Sequence, residues 1–135
     1  MSRLCVDTSA YSRFRRGHDP RLIELLDTAE WIGIPTITLG ELRTGFLLGS
    51  RAAENEEELQ QFLHNPAVDQ VPIDDRASHY YAAIVRDLRR TGRPIPTNDI
   101  WIAAAAASEA ATVVTYDEHF RSIERVAAIV LQGPK

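Results

Sequence analysis

The chain has 135 residues, of which 44% are hydrophobic and 25% charged, as in soluble globular proteins, and that length suits one domain, residues 1–135, with a core of its own. The single cysteine, Cys5, excludes an internal disulfide framework, and the longest apolar run, Ile100 to Ala107, is far too short to span a membrane. The formal net charge is −4, which argues against a broadly basic nucleic-acid-binding surface, unless the acids cluster around metal ions and the arginines lie elsewhere.

Taken in chain order, "RLCV" (Arg3 to Val6) predicts a short buried strand, with Cys5 a strand residue rather than a catalytic thiol. Only three apolar residues precede Asp7, too few for the apolar region of a signal peptide, so a reducing cytoplasm is the expected location. A short helix is expected around Tyr11. "DPRLIELLDTAE" (Asp19 to Glu30) predicts a helix capped by Asp19, with Pro20 at its first position. "WIGIP" (Trp31 to Pro35) is a second strand, and "TITLGELRTGFLLGS" a helix with Leu39, Leu42 and Phe46 on one face. A polar-faced helix over Ala53 to Asn65, a third strand over Val68 to Ile73 and a long helix over Asp75 to Gly92 follow. "PTNDIWIAAAAASEA" reads as an alanine-rich helix that a strand can approach closely. Strand "TVVT" (Thr112 to Thr115), short helix "EHFRSI" and a last strand over Ala127 to Gln132 complete the chain. Strands alternating with helices predict an α/β fold: a parallel sheet of about five strands, sandwiched by helices.

In such sheets, sites form beyond the carboxyl ends of the strands. Asp7 directly follows the first strand and Asp117 follows the fourth. Glu41 and Asp99 fall in the first turns of two helices. Each has an ordinary structural reading. Asp7 and Asp117 suit helix caps, Glu41 completes a T-x-x-E capping box with Thr38, and Asp99 suits the positive end of its helix. Yet Thr97 or Asn98 is available to cap the helix that holds Asp99, so a further acid there is not required. Four carboxylates in one pocket would repel and take up protons, a conflict that divalent cations resolve. Mg2+ and Mn2+ prefer oxygen ligands, and bound metal activates water for phosphate displacement. Acids without a histidine or cysteine set therefore point to phosphodiester hydrolysis.

Four blocks in order, "CVDTSAY", "ITLGELRTG", "IPTNDIWIAAAA" and "VVTYDEHF", resemble the signatures of the PIN-domain ribonucleases, and more narrowly of VapC-type toxins. The resemblance covers nearly the whole chain. It implies a parallel sheet between helices, and an acidic quartet of Asp7, Glu41, Asp99 and Asp117 around Mg2+ or Mn2+. Thr8, Ser9, Asn98 and Thr115 match polar positions that support the pocket. It further implies metal-dependent hydrolysis of structured RNA such as tRNA or rRNA, a homodimer, and a VapB-type antitoxin that blocks the site with its C-terminal tail.

Arg13, Arg15 and Arg16 in "SRFRRG" are candidates for RNA contact, set against an ordinary solvated helix face. Arg86, Arg89, Arg90 and Arg93 are weaker candidates, since Asp87 stands among them. No two of His18, His64, His79 and His119 form a ligand pair, and His119 reads as a packing or capping residue. Trp101 reads as core, and "ENEEEL" as a solvated face. A receiver-type signalling domain needs a pocket lysine, but the only lysine is the terminal Lys135. A haloacid-type phosphatase needs an aspartate where Ser9 stands. A catalytically silent module with the same fold, and a DNA-directed nuclease with the same acids, stay open as alternatives.

Overall fold

The computed structural model describes residues 2–133. Its elements run β1 (Arg3–Val6), α1 (Thr8–Arg16), α2 (Pro20–Thr28), β2 (Trp31–Pro35), α3 (Thr36–Leu48), α4 (Ala52–Leu63), β3 (Val68–Val71), α5 (Asp75–Thr91), α6 (Thr97–Ser108), β4 (Thr112–Thr115), a 3-10 helix (Glu118–Ser122) and β5 (Ala128–Val130). All five strands are parallel, in the order β3-β2-β1-β4-β5. The α/β expectation therefore holds, with each predicted strand in place and its ends moved by at most two residues.

The strands feed two apolar layers because successive side chains point to opposite faces. Leu4 and Val6 of β1 join Ile32, Ile34 and Val114 in a core completed by Leu22, Leu39, Leu42 and Leu59 from α2, α3 and α4. Cys5 and Val113 face the other way, against Ile84 and Leu88 of α5 and the buried run Ala103 to Ala106 of α6. Those alanines are fully buried, and their small size lets α6 lie close to the sheet, as the sequence suggests. Burial also pushes the Cys5 thiol up to about 12, so the thiolate that would react is not formed near neutral pH. Trp101 stacks on Tyr81 of α5 with ring centroids 3.9 Å apart, which makes it a packing residue between α5 and α6. Among the described residues, no helix is long and apolar enough to cross a membrane.

Several helix ends differ from expectation. Asp19 does cap α2, accepting from Arg21 N, and Gly92 closes α5 at φ 68°, a left-handed position that suits glycine. The Thr38–Glu41 capping box does not form. α3 begins two residues before Thr38, directly after Pro35, with no side-chain cap, so Glu41 lies in its second turn. Thr38 Oγ1 donates instead to Val6 O at 3.3 Å, and Thr36 Oγ1 to Val71 O at 3.1 Å, which pins the start of α3 to the sheet. Likewise α6 starts at Thr97 after Pro96, with no side-chain cap from Thr97 or Asn98. The proline fixes the entry angle in both cases, so neither helix depends on the polar residues that follow. The acidic α4 is not merely a solvated face: Glu56 pairs with Arg43 of α3 at 2.9 Å and Glu58 with Arg15 of α1 at 2.6 Å.

Gly33 sits at a close approach within β2. A Cβ there would lie 2.4 Å from Trp31 Cη2 and 2.8 Å from Val71 Cγ2. Trp31 is itself anchored, through Nε1 to Asp69 at 2.8 Å and under the Arg3 guanidinium at 4.2 Å. Gly33→Ala is expected to cost about 1–3 kcal/mol by overpacking, seen as a fall in Tm of roughly 3–10 °C. Thermal unfolding followed by tryptophan fluorescence checks this.

Candidate functional site

With β1 central, the chain winds outwards through β2 and β3, then returns to place β4 on the other side of β1. The crevice between the ends of β1 and β4 is thus the point where the direction of winding reverses, where open α/β sheets bind ligands. Asp7 leaves β1 and Asp117 leaves the β4 end at this crevice, while α3 and α6 bring Glu41 and Asp99. All four acids line one cleft of about 360 Å³, together with Thr8, Ser9, Ser12, Arg16 and Ile102.

Asp7 is the most constrained of the four, only 4% exposed. It is the N-cap of α1, so the cap reading and the cleft position are one arrangement. Its Oδ1 accepts from Ala10 N and from Ser9 Oγ, both at 2.8 Å, and its Oδ2 accepts from Thr115 Oγ1 at 2.5 Å. Both hydroxyls are relays. Ser9 Oγ accepts in turn from Tyr116 N at 3.0 Å, and Thr115 Oγ1 from Asp117 N at 2.9 Å. The two acids at the strand ends are thereby coupled through one buried threonine. Glu41 is held from both sides: Thr8 Oγ1 donates to one oxygen at 2.5 Å and Asn98 Nδ2 to the other at 3.2 Å. All four polar residues named from the sequence therefore contact the acids directly or through one bond.

Asp117 caps the 3-10 helix, accepting from His119 N at 2.9 Å. That tight turn brings His119 back towards the cleft. Its Nδ1 lies 3.1 Å from Asp117 Oδ1 and 3.4 Å from Asp99 Oδ2. The sequence reading of His119 as a packing or capping residue is corrected: its ring is half exposed and faces two carboxylates. Its spacing of two from Asp117 was the available signal, and only the tight turn converts it into contact. Among the described residues, Asp99, Asp117 and His119 are a group that could hold a metal ion, with donor atoms within 4.8 Å of one another.

The charges in this cleft are in conflict. Burial above all raises the Asp7 carboxyl above its ordinary range, opposed by the hydrogen bonds from Thr115, Ala10 and Ser9, with the Asp117 charge adding to the rise. Burial also raises Asp99. The His119 hydrogen bond opposes this, while Asp117, Glu41 and Asp7 push it further up. Hard oxygen donors in mutual repulsion fit a Mg2+- or Mn2+-type cation, which relieves the repulsion that they impose on one another.

Of the three arginines named from the sequence, only Arg16 lines the cleft. Arg15 is held by Glu58, and the Arg13 guanidinium lies 4.9 Å over the Tyr116 ring. Tyr116 donates to Asp19 at 2.5 Å, a link that ties the end of β4 to the N-cap of α2 and that the sequence did not signal.

The profile of the PIN domain family matches residues 4–126. The chain belongs to the PIN-domain family. Within it, the chain resembles VapC-type members along most of its length. Ribonuclease VapC5 of Mycobacterium tuberculosis is 31% identical over 124 residues, 92% of this chain and 90% of that protein. Ribonuclease VapC2 of Rickettsia felis is 28% identical over 111 residues, 82% of this chain and 80% of that protein. Among solved structures, VapBC-5 from Mycobacterium tuberculosis, a member of the VapBC family of toxin-antitoxin systems, superposes with a TM-score of 0.76 at 26% identity, covering 97% of this chain and 100% of that one. VapBC2 from Rickettsia felis, bound to a DNA fragment from its promoter, gives 0.82 at 23% identity over 96% of this chain and 98% of that one, a likeness of fold.

Two substitutions separate the structural parts of this site. Asp99→Asn removes a half-buried charge from among three others. In EDTA at neutral pH it is expected to raise Tm by about 2–4 °C, roughly 1 kcal/mol. Because the folded protein raises the pKa of Asp99, the penalty is present above that pKa and fades as pH falls through it, so the advantage of the variant should shrink on acidification. Thr115→Val has the opposite effect. It leaves Asp7 and Asp117 N without their shared partner and is expected to cost about 1–3 kcal/mol, measured by urea unfolding.

Proposed function

We propose that this PIN-domain protein is a Mg2+- or Mn2+-dependent endoribonuclease toxin, acting in the cytoplasm as a homodimer and restrained by a VapB-type antitoxin. One observation carries the reading: four acids from four separate elements line a single cleft at the reversal point of the sheet. The relatives named as ribonucleases and the solved VapBC toxin-antitoxin structures support it.

Asp7, Glu41, Asp99 and Asp117 would hold the cation, with His119 within reach of Asp99 and Asp117 as a further donor. A bound divalent cation supplies an activated water and neutralises charge gathering on the phosphate. The protein's own contribution is orientation. Ser9 and Thr115 fix both oxygens of Asp7, so its carboxylate presents one direction to the cleft. Thr8 and Asn98 do the same for Glu41, and Asn98 thereby locks the first turn of α6 against α3. Donors held at set angles lose little freedom on binding, which favours a defined coordination over a diffuse one. Structured tRNA or rRNA is the proposed substrate class.

The purified protein incubated with total cellular RNA tests this. Cleavage is expected with Mg2+ or Mn2+, to stop with EDTA, and to fall by at least 100-fold in Asp7→Asn and Asp99→Asn. Cleavage that persists in EDTA or in either variant would sink the site assignment. Metal-dependent cutting of DNA but not RNA would favour the DNA-directed reading, and no cutting of either would favour the silent module.

A further inference from the structure

The chain has fourteen arginines, and most are already engaged. Seven pair with acids, and Arg76 and Arg93 donate to Ser108 O and Ser122 Oγ. Among the described residues, Arg13, Arg16, Arg21, Arg89 and Arg90 make neither an ion pair nor a side-chain hydrogen bond. Arg89 and Arg90 lie together in the last turn of α5. Of the other three, Arg13 and Arg21 line a second cleft, and Arg16 lines the acidic cleft.

Arg16 is the one cation among the residues that line that cleft. Arg13, three positions earlier on α1, is its neighbour on the helix surface. Its guanidinium rests on the Tyr116 ring, directly before Asp117. Arg13 also lines the second cleft, of about 340 Å³, with His18, Asp19 and Arg21 at the turn between α1 and α2. The unengaged cations therefore form a path that begins inside the acidic cleft and leaves it over α1. Arg15, between them in sequence, is held by Glu58 of α4.

A polyanion meets four carboxylates in this cleft, so cations must hold it beside them. Guanidinium forks suit phosphate oxygens, and an arginine without a partner donates to them without first losing an ion pair. Stacking on Tyr116 occupies one face of the Arg13 guanidinium, and its N–H groups have no hydrogen-bond partner among the described residues. We propose that the RNA strand in the cleft runs out over α1 towards the α1–α2 turn, its phosphates held by Arg16, Arg13 and Arg21, with Arg15 outside the path. This rests on the ribonuclease reading and adds the direction in which the substrate lies.

The test uses a fluorescein-labelled single-stranded RNA of about 20 nucleotides, titrated with the whole protein in EDTA and followed by anisotropy over a range of salt. Arg16→Ala, Arg13→Ala and Arg21→Ala are each expected to weaken binding roughly 3- to 10-fold. The triple variant should reduce the salt slope by about 2, at ~0.7 per phosphate on a single strand. Arg15→Ala and Arg89→Ala should stay within about 2-fold of wild type, and Arg16→Lys should keep more affinity than Arg16→Ala. Circular dichroism and Tm verify that the variants are folded. A folded triple variant with wild-type affinity and slope overturns the path, as does Arg15→Ala or Arg89→Ala weakening binding as much as Arg16→Ala. In both cases metal-dependent cleavage by the wild type leaves the ribonuclease reading standing. Wild-type protein that cleaves no RNA overturns that reading, and the path with it.

Discussion

A carboxylate taken out of water must be given hydrogen bonds or it gives up its charge. Asp7 is nearly inaccessible, yet three donors converge on it: the first turn of α1, the Ser9 hydroxyl and the buried Thr115 at the end of β4. Those donors come from both sides of the β1–β4 seam. The seam is therefore held by strand pairing and also by the need to solvate one acid internally. Because Thr115 and Ser9 also accept from the backbone of Asp117 and Tyr116, the position of the fourth acid follows from the stabilisation of the first.

From this core the cleft is built outwards with decreasing burial. Thr8, next to Asp7, reaches Glu41, and Glu41 reaches Asn98. Asn98 precedes Asp99, and Asp99 meets His119, which stands on the turn capped by Asp117. Through Asp117 N and the Thr115 hydroxyl the chain of contacts returns to Asp7. Few of these bonds are strong alone, at about 0.5–1.5 kcal/mol net each. Linked in this way, displacement of one member removes a partner from the next.

The fold and the four acids were legible in the sequence for a common reason. Strands and buried helices write their burial into the residue pattern, as "RLCV", "WIGIP" and "TVVT" do, and each strand end announces itself by an abrupt polar residue. Helix starts were less legible. Thr38 with Glu41, and Thr97 with Asn98, satisfy local capping rules, but Pro35 and Pro96 set the true starts and left Thr38, Glu41 and Asn98 to bond across the molecule. Local grammar cannot say whether a hydroxyl turns inwards to its own backbone or outwards to a neighbour. His119 shows the same limit, since its use depends on the tightness of a single turn. The ion pairs of α4 with Arg15 and Arg43 were invisible for another reason: they join residues whose approach is set by helix packing alone.

The span of the Asp7–Thr115 bond has a consequence for synthesis. These residues are 108 positions apart, and β1 has no neighbour on its β4 side until the chain has been made through Thr115. A growing chain emerges from its N-terminus, so Asp7 and Glu41 are made long before the strand that completes their setting, and Asp99 shortly before it. Pairing over such a distance is also slow to form. On the ribonuclease reading, truncated products that end before β4 lack Asp117, His119 and the Thr115 hydroxyl that donates to Asp7. The order of the strands would thus work as a timer, withholding a complete cleft until the strand that leads to Asp117 has been made.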